Sequence, residues 1–351
     1  MSIVIQDLDP LIVDFCDLEG DYLNIMLVNK YYHESIKNNK LFIQAEYCYL
    51  NVRKRKIKSL FIKACKLNFL LYSKYLVSKH GIKINFANDY AFRWSCKHGN
   101  LDIAKWLIEF LDSTKKNNIP LVNINALSDH AFQLSCRYGH IEISEWLINI
   151  SESPEFKLIN IHSDNEYAFR WSCLNNHLDI AKWLIELSKQ PNFTLIDINL
   201  WSEFAFINTC GKGYFDIIKW LISLSEEENF KLIDIHAENE HAFISACGNG
   251  YLDIAIWLIN LSRQDKFKLI DIHAVDDEAF LNACANAHLD VAKWLFELSK
   301  EADFNLIDIP KCLEYFHSSY RRINDNVSHW LQQVAKQPEF RKKNNWRDIN
   351  V

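Results

Sequence analysis

A chain of 351 residues with 49% hydrophobic and 24% charged residues has the composition of a folded protein and excludes a disordered one. Its formal net charge of −6 argues against nucleic acid and anionic membranes as partners. With 8 glycines and 6 prolines there is little material for long flexible linkers.

Residues 1–50 carry three short helical patterns. Leu8, Pro10, Leu11, Ile12 and Phe15 form the first, with Pro10 suited to an opening helical turn. Leu23, Ile25, Leu27, Val28, Tyr31 and Tyr32 form the second, and a third begins near Leu41 and Phe42. Asp7, Asp9 and Asp14 break the N-terminal apolar run, so neither a signal peptide nor a membrane span is expected. The expectation is an intracellular, cytoplasmic protein. Residues 53–58 (RKRKIK) read as a solvated charged stretch, with a nuclear-localisation signal as the alternative.

From there the chain repeats itself. Cys136, Cys173, Cys210, Cys247 and Cys284 fall 37 residues apart, and Trp146, Trp183, Trp220, Trp257 and Trp294 follow ten residues after each. Cys96 and Trp106 come 40 residues before the first of these, and Cys65 with Tyr75 marks a shortened opening copy. Phe316, Tyr320 and Trp330 mark a last, divergent copy that has lost one residue. A fixed period of this size is the signature of a solenoid, whose core grows by stacking similar elements. The array spans residues 51–337, about eight repeats, ahead of a basic, polar tail at 338–351. Equivalent cysteines in neighbouring repeats stand roughly 10 Å apart, too far for a disulfide, so they read as reduced, buried thiols acting as small hydrophobes.

One copy, residues 166–199, shows the local logic. Ala168, Phe169, Ser172 and Cys173 mark the apolar side of a helix of about nine residues, and Asn175, Asn176 and His177 make a turn. Leu178, Ile180, Ala181, Leu184, Ile185 and Leu187 define a second amphipathic helix, with Asp179 in its first turn and Pro191 beyond its end. FTLIDI then alternates like an extended arm. Trp183 lies on the edge of the apolar stripe, where it would cover the seam between neighbouring second helices. His162, His236 and His273 share an arm position with Asn85, Asn125 and Asn199, which points to a hydrogen-bonding turn in place of a metal ligand.

This order resembles the ankyrin repeat. The resemblance rests on GNLDIAKWLIEF (residues 99–110), GYFDIIKWLISL and GYLDIAIWLINL, and on the LIDIHA element at 232–237 and 269–274. It implies an all-α solenoid of helix-turn-helix units with short extended hairpin arms. Two departures stand out: the family's threonine-proline-leucine-histidine opening is replaced around the Ala-Phe pair, and each repeat is longer than the family's usual length of about 33. Long copies of this kind look like the ankyrin arrays of large DNA viruses, which implies work in a host cytoplasm.

Residues 8–15, 23–36 and 40–42 together resemble an F-box. Pro10, Leu11, Val28, Tyr31, Leu41 and Phe42 occupy its expected positions, which implies docking to the adaptor of a cullin-type ubiquitin ligase. The alternative is a helical cap that only shields the first repeat, leaving a plain interaction scaffold.

Chemistry is not signalled. No nucleophile-base-acid set, phosphate-cradling glycine loop or HExxH occurs, so no catalytic residue, metal or cofactor is expected. The informative positions are those where near-identical repeats disagree. The third residue after each Ala-Phe alanine runs Trp94, Leu134, Trp171, Asn208, Ser245, Asn282, and the residue before it runs Arg93, Gln133, Arg170, Ile207, Ile244, Leu281. In ankyrin arrays the later position faces the concave groove. The resemblance therefore implies a protein-binding groove of Arg93, Trp94, Leu134, Arg170, Trp171 and Asn208, with Trp201 on the arm. A monomer is expected.

Overall fold

The computed structural model describes residues 56–113, 122–318 and 323–341. The F-box-like positions Pro10, Leu11, Val28, Tyr31, Leu41 and Phe42 lie outside the described residues, as do the start of the basic run and most of the C-terminal tail. Among the described residues all regular structure is helical and no β-strand occurs.

The chain divides into two units, Met1–Ala168 and Phe169–Val351. The first holds α1 (Lys56–Lys66), α2 (Leu70–His80), α3 (Phe86–Lys97), α4 (Leu101–Ser113), α5 (Ala126–Arg137) and α6 (Ile141–Ser151). Helix α7 (Ser163–Leu174) runs through the division. The second holds α8 (Leu178–Ser188), α9 (Leu200–Lys212), α10 (Phe215–Ser225), α11 (Ala237–Gly248), α12 (Leu252–Ser262), α13 (Ala274–Ala285), α14 (Leu289–Leu298), α15 (Ile309–Ser318), α16 (Asp325–Ala335) and α17 (Pro338–Arg341). Odd-numbered elements up to α15 are the first helices of repeats and even-numbered ones the second. Successive first helices lie side by side, α1 on α3 and α3 on α5 in one unit, α9 on α11 and α11 on α13 in the other.

The core follows from the repeated residues. Phe92, Phe132, Phe169, Phe206, Phe243 and Phe280, the aromatic partners in each Ala-Phe pair, are fully buried. So are the cysteines one turn later; among the described residues eight are free and buried. Burial of this kind stabilises by about 2–3 kcal/mol for a phenylalanine. The arms alternate as their sequence requires: Ile196 and Ile198 are buried, while Leu195 and Asp197 face water. The tryptophans are scaffold. Trp257 meets Phe215 of the preceding second helix at 5.7 Å, the seam the sequence suggests. Trp146, Trp220 and Trp294 lean on the phenylalanine of the preceding repeat's first helix, at 6.2 Å for Phe92–Trp146, 6.3 Å for Phe169–Trp220 and 6.3 Å for Phe243–Trp294. Such tilted pairs add about 0.5–1.5 kcal/mol each.

Glycine appears where the turn between helices demands it. Gly99 has φ +75°, and a Cβ there would stand 2.8 Å from Cε1 of His140, which leads into the next repeat's second helix. Asn176 and Ala287 hold the same left-handed position without glycine, at φ 64° and 65°.

The largest departure from the sequence expectation lies between arm and first helix. The described arms form no hairpin. Instead, three consecutive residues take left-handed conformations before the right-handed helix starts: 87–89, 127–129, 164–166, 201–203, 238–240 and 275–277, with φ between 50° and 65°. Each such L-residue costs about 1–2 kcal/mol. Val275, β-branched and exposed, is the least suited of them. Val275→Gly is expected to raise stability by about 1 kcal/mol, seen as a higher urea midpoint at unchanged slope. A lower midpoint would mean the left-handed turn is not the native conformation.

Candidate functional site

The two rows singled out in the sequence separate cleanly in space. The earlier one (Arg93, Gln133, Arg170, Ile207, Ile244, Leu281) is buried throughout. Arg93 is 5% exposed. Its Nε donates to the carbonyl of Asn88 (2.8 Å), its Nη2 to that of Ala87 (3.2 Å) and its Nη1 to Nδ1 of His130 in the next repeat (2.9 Å). Gln133 does the same work, with Nε2 donating to Ser128 O at 2.9 Å and Asp164 Oδ2 at 2.8 Å. Arg170, 4% exposed, stacks its guanidinium 4.0 Å from the Trp201 ring centre and 4.9 Å from that of Phe204. These side chains serve carbonyls and rings of their own chain. Leu134 is also buried, at 7%. Arg93, Arg170 and Leu134 therefore support a surface and do not form it.

Most of the later row reaches solvent. Trp94, Trp171, Asn208, Ser245 and Asn282 are half-buried, and Trp201 is 55% exposed on its arm. Trp94 is surrounded: Lys66 Nζ and Lys97 Nζ sit 3.9 and 4.0 Å from its ring centre, His98 stacks at 5.3 Å, and Tyr90 lies at 5.2 Å. Asn208 donates from Nδ2 to Phe204 O at 2.8 Å. In the second unit the structure joins Arg170 to Trp201, whereas in the first Arg93 turns inward and its neighbour Trp94 reaches solvent.

One set of residues escaped the sequence reading. The third left-handed residue of every turn is an acid, Asp89, Asp129, Glu166, Glu203, Glu240 or Asp277, and all six are buried. The histidine or asparagine four residues earlier holds each of the last five: Asn125 on Asp129 at 2.6 Å, His162 on Glu166 at 2.8 Å, Asn199 on Glu203 at 2.9 Å, His236 on Glu240 at 2.8 Å and His273 on Asp277 at 2.5 Å. The following repeat adds a backbone N–H, from Asn123 to Asp89 (3.3 Å), Asp234 to Glu203 (3.3 Å) and Asp271 to Glu240 (3.2 Å). The aspartates Asp234 and Asp271 in turn accept from the backbone N–H of His236 and His273, closing a turn of the Asx type. A hydrogen-bonded rail results, which answers the polar cost of the left-handed turns. From Asp129 to Asp277 the acids keep the 37-residue interval, so the signal lay in the same periodicity as the cysteines.

Burial sets the acid-base character of this rail. Asp89 is raised to about 6 by desolvation, against the opposing pull of the Asn123 N–H and Arg93. Glu203 and Glu240 are raised for the same first reason, and Oε2 of Glu240 is buried with no hydrogen-bond partner among the described residues. His273 moves up because it donates to Asp277 and, through Nε2, to Asn305 O at 2.7 Å. The thiols of Cys65, Cys136 and Cys173 are pushed up to about 12 by burial, which leaves them protonated and poor nucleophiles. Among the described residues no group of three or more His, Cys, Asp or Glu side chains could hold a metal ion.

Residues 94–197 and 206–308, more than half of the chain, match the family description "Ankyrin repeats". The chain belongs to the ankyrin-repeat family. Its stacked helix pairs make it a protein–protein interaction module of that kind. No curated protein matches the sequence. No helix among the described residues of this ankyrin-repeat protein is long and apolar enough to cross a membrane.

Proposed function

We propose that this ankyrin-repeat protein is a substrate-recruiting subunit: the first-helix face holds a target protein, and residues 1–50 dock to a ubiquitin-ligase adaptor. One observation carries the target-binding half. The core phenylalanines and cysteines, such as Phe92 and Cys96, recur from repeat to repeat, while the mostly half-exposed row nearby runs Trp94, Leu134 (buried), Trp171, Asn208, Ser245 and Asn282. A surface that varies on an unvarying frame is what selective recognition requires, and tryptophan is favoured at binding hot spots. Arg93 and Arg170 act beneath it by fixing the turns. The adaptor half rests on the F-box resemblance of Pro10, Leu11, Val28, Tyr31, Leu41 and Phe42.

Co-precipitation from cells with quantitative mass spectrometry tests both halves. Removing residues 1–50 is expected to lose a cullin adaptor and retain a second partner. Trp171→Ala with Trp201→Ala is expected to weaken that second partner at least ten-fold with a thermal midpoint within a few degrees of the parent. An intact chain that brings down no cullin adaptor rejects the ligase role and leaves an ankyrin scaffold. A partner indifferent to both tryptophans rejects the face.

A further inference from the structure

The first helices of the first unit end in a basic, aromatic surface. Lys66, Lys97 and Arg137 are the last residues of α1, α3 and α5, which lie side by side. Cations at helix C-termini complement the dipole, but α11 and α13 close with Gly248 and Ala285 at the equivalent place. Aromatic rings separate the charges. Lys66 and Lys97 flank Trp94, Lys97 lies 4.9 Å from the Tyr138 ring centre, and Arg137 lies 5.6 Å from Tyr138 while donating to Tyr167 Oη at 2.5 Å. Tyr138 is 40% exposed. Among the described residues neither Lys66 nor Lys97 forms a salt bridge. The acids of α3 and α5, Asp89 and Asp129, are both buried, and α1 has none. In contrast, α11 and α13 carry exposed Glu238 and Asp276 and no lysine or arginine. The field is felt locally: His98 is held below its ordinary value first by burial and then by Lys97 and Lys66.

Resting on the interaction reading above, we infer that this surface docks an acidic, aromatic-containing peptide segment of the target protein. Carboxylates would meet Lys66, Lys97 and Arg137, and an apolar or aromatic side chain would lie against Tyr138 and the edge of Trp94. Single-stranded nucleic acid fits less well. Base stacking needs an open ring face, and Trp94 already carries two ammonium groups within 4.0 Å and a stacked histidine. Three cations in a chain of net charge −6 also make a poor phosphate track.

Selection of a phage-displayed random 12-residue library on the full chain tests the assignment. Enriched peptides are expected to be rich in Asp, Glu and aromatic residues. Their affinity should fall at least ten-fold on Lys97→Gln with Arg137→Gln, fall by a smaller factor on Lys66→Gln alone, and weaken with added salt. Lys182→Gln with Lys293→Gln, on the second helices α8 and α14, should leave it unchanged. Circular dichroism and the thermal midpoint check that each variant is folded, and the single Lys66→Gln variant stands in if the double one is not. Enriched peptides that are neutral, or acidic ones insensitive to these substitutions, overturn the inference; if they instead depend on Trp171 and Trp201, the interaction reading survives. Enrichment of nothing overturns both. Tighter binding of a mixed-sequence 12-nucleotide DNA strand at Lys97 and Arg137 also overturns it, in favour of nucleic acid.

Discussion

Phe243→Ala is expected to lower stability by about 3–5 kcal/mol, the usual cost of truncating a fully buried phenylalanine. The side chain is 0% exposed and lies 6.3 Å from Trp294 of the following repeat, so its loss removes transfer energy, opens a cavity and unseats a tryptophan. In a solenoid such damage propagates mainly to neighbours. Urea unfolding read by tryptophan fluorescence should therefore show an earlier transition, with hydrogen exchange accelerated first in α11 to α14. A loss below about 1 kcal/mol would mean that the site collapses around the smaller residue, contrary to close packing on a rigid repeat frame.

Glu240→Ala is expected to cost about 2–3 kcal/mol, whereas Glu240→Gln should be nearly neutral at pH 7. Alanine leaves the His236 ring N–H and the Asp271 backbone N–H without their acceptor, and each buried, unmet donor costs about 1–3 kcal/mol. Glutamine keeps one acceptor oxygen and removes a buried charge. The pH dependence separates the two contributions. Burial raises Glu240 above the ordinary carboxylate value in the folded state. The stability carried by its proton is thus fully present below that ordinary value and is lost as pH rises through the raised one. Wild type should lose ground against Glu240→Gln as pH rises above the ordinary carboxylate range. Parallel pH profiles for the two proteins would sink this account. Asp89, raised to about 6 for the same reason, stays in both proteins and cancels.

Much of this molecule was legible in one dimension. A constant interval between Cys136 and Cys284 requires equivalent environments, and a small apolar residue inside a helical pattern has one equivalent environment available, the core. The same interval could have revealed the acids from Asp129 to Asp277, but a charged residue in a polar stretch looks like ordinary surface until its burial is known. The left-handed turns were hidden for a related reason. Positive φ is signalled by glycine, and none of the six turns contains one, being built from residues such as Val275, Trp201 and Leu127.

The division of labour between sequence and tertiary structure is clearest at Arg93, Trp94 and their equivalents. The sequence alone determined the ankyrin period, the helix pairs, the aromatic and thiol core, and the rows in which repeats differ. The ankyrin resemblance already turned the later row toward the groove; only the tertiary structure showed that the earlier row is buried and what holds it there. A helix presents adjacent residues about 100° apart, so two neighbouring rows cannot share a face, yet both held tryptophan-sized or charged side chains. What settled it was the left-handed turn beneath each first helix, whose carbonyls at Ala87, Asn88 and Ser128 draw Arg93 and Gln133 into the interior. Residues that read as partner contacts became the buttress, and the surface passed to the row beside them.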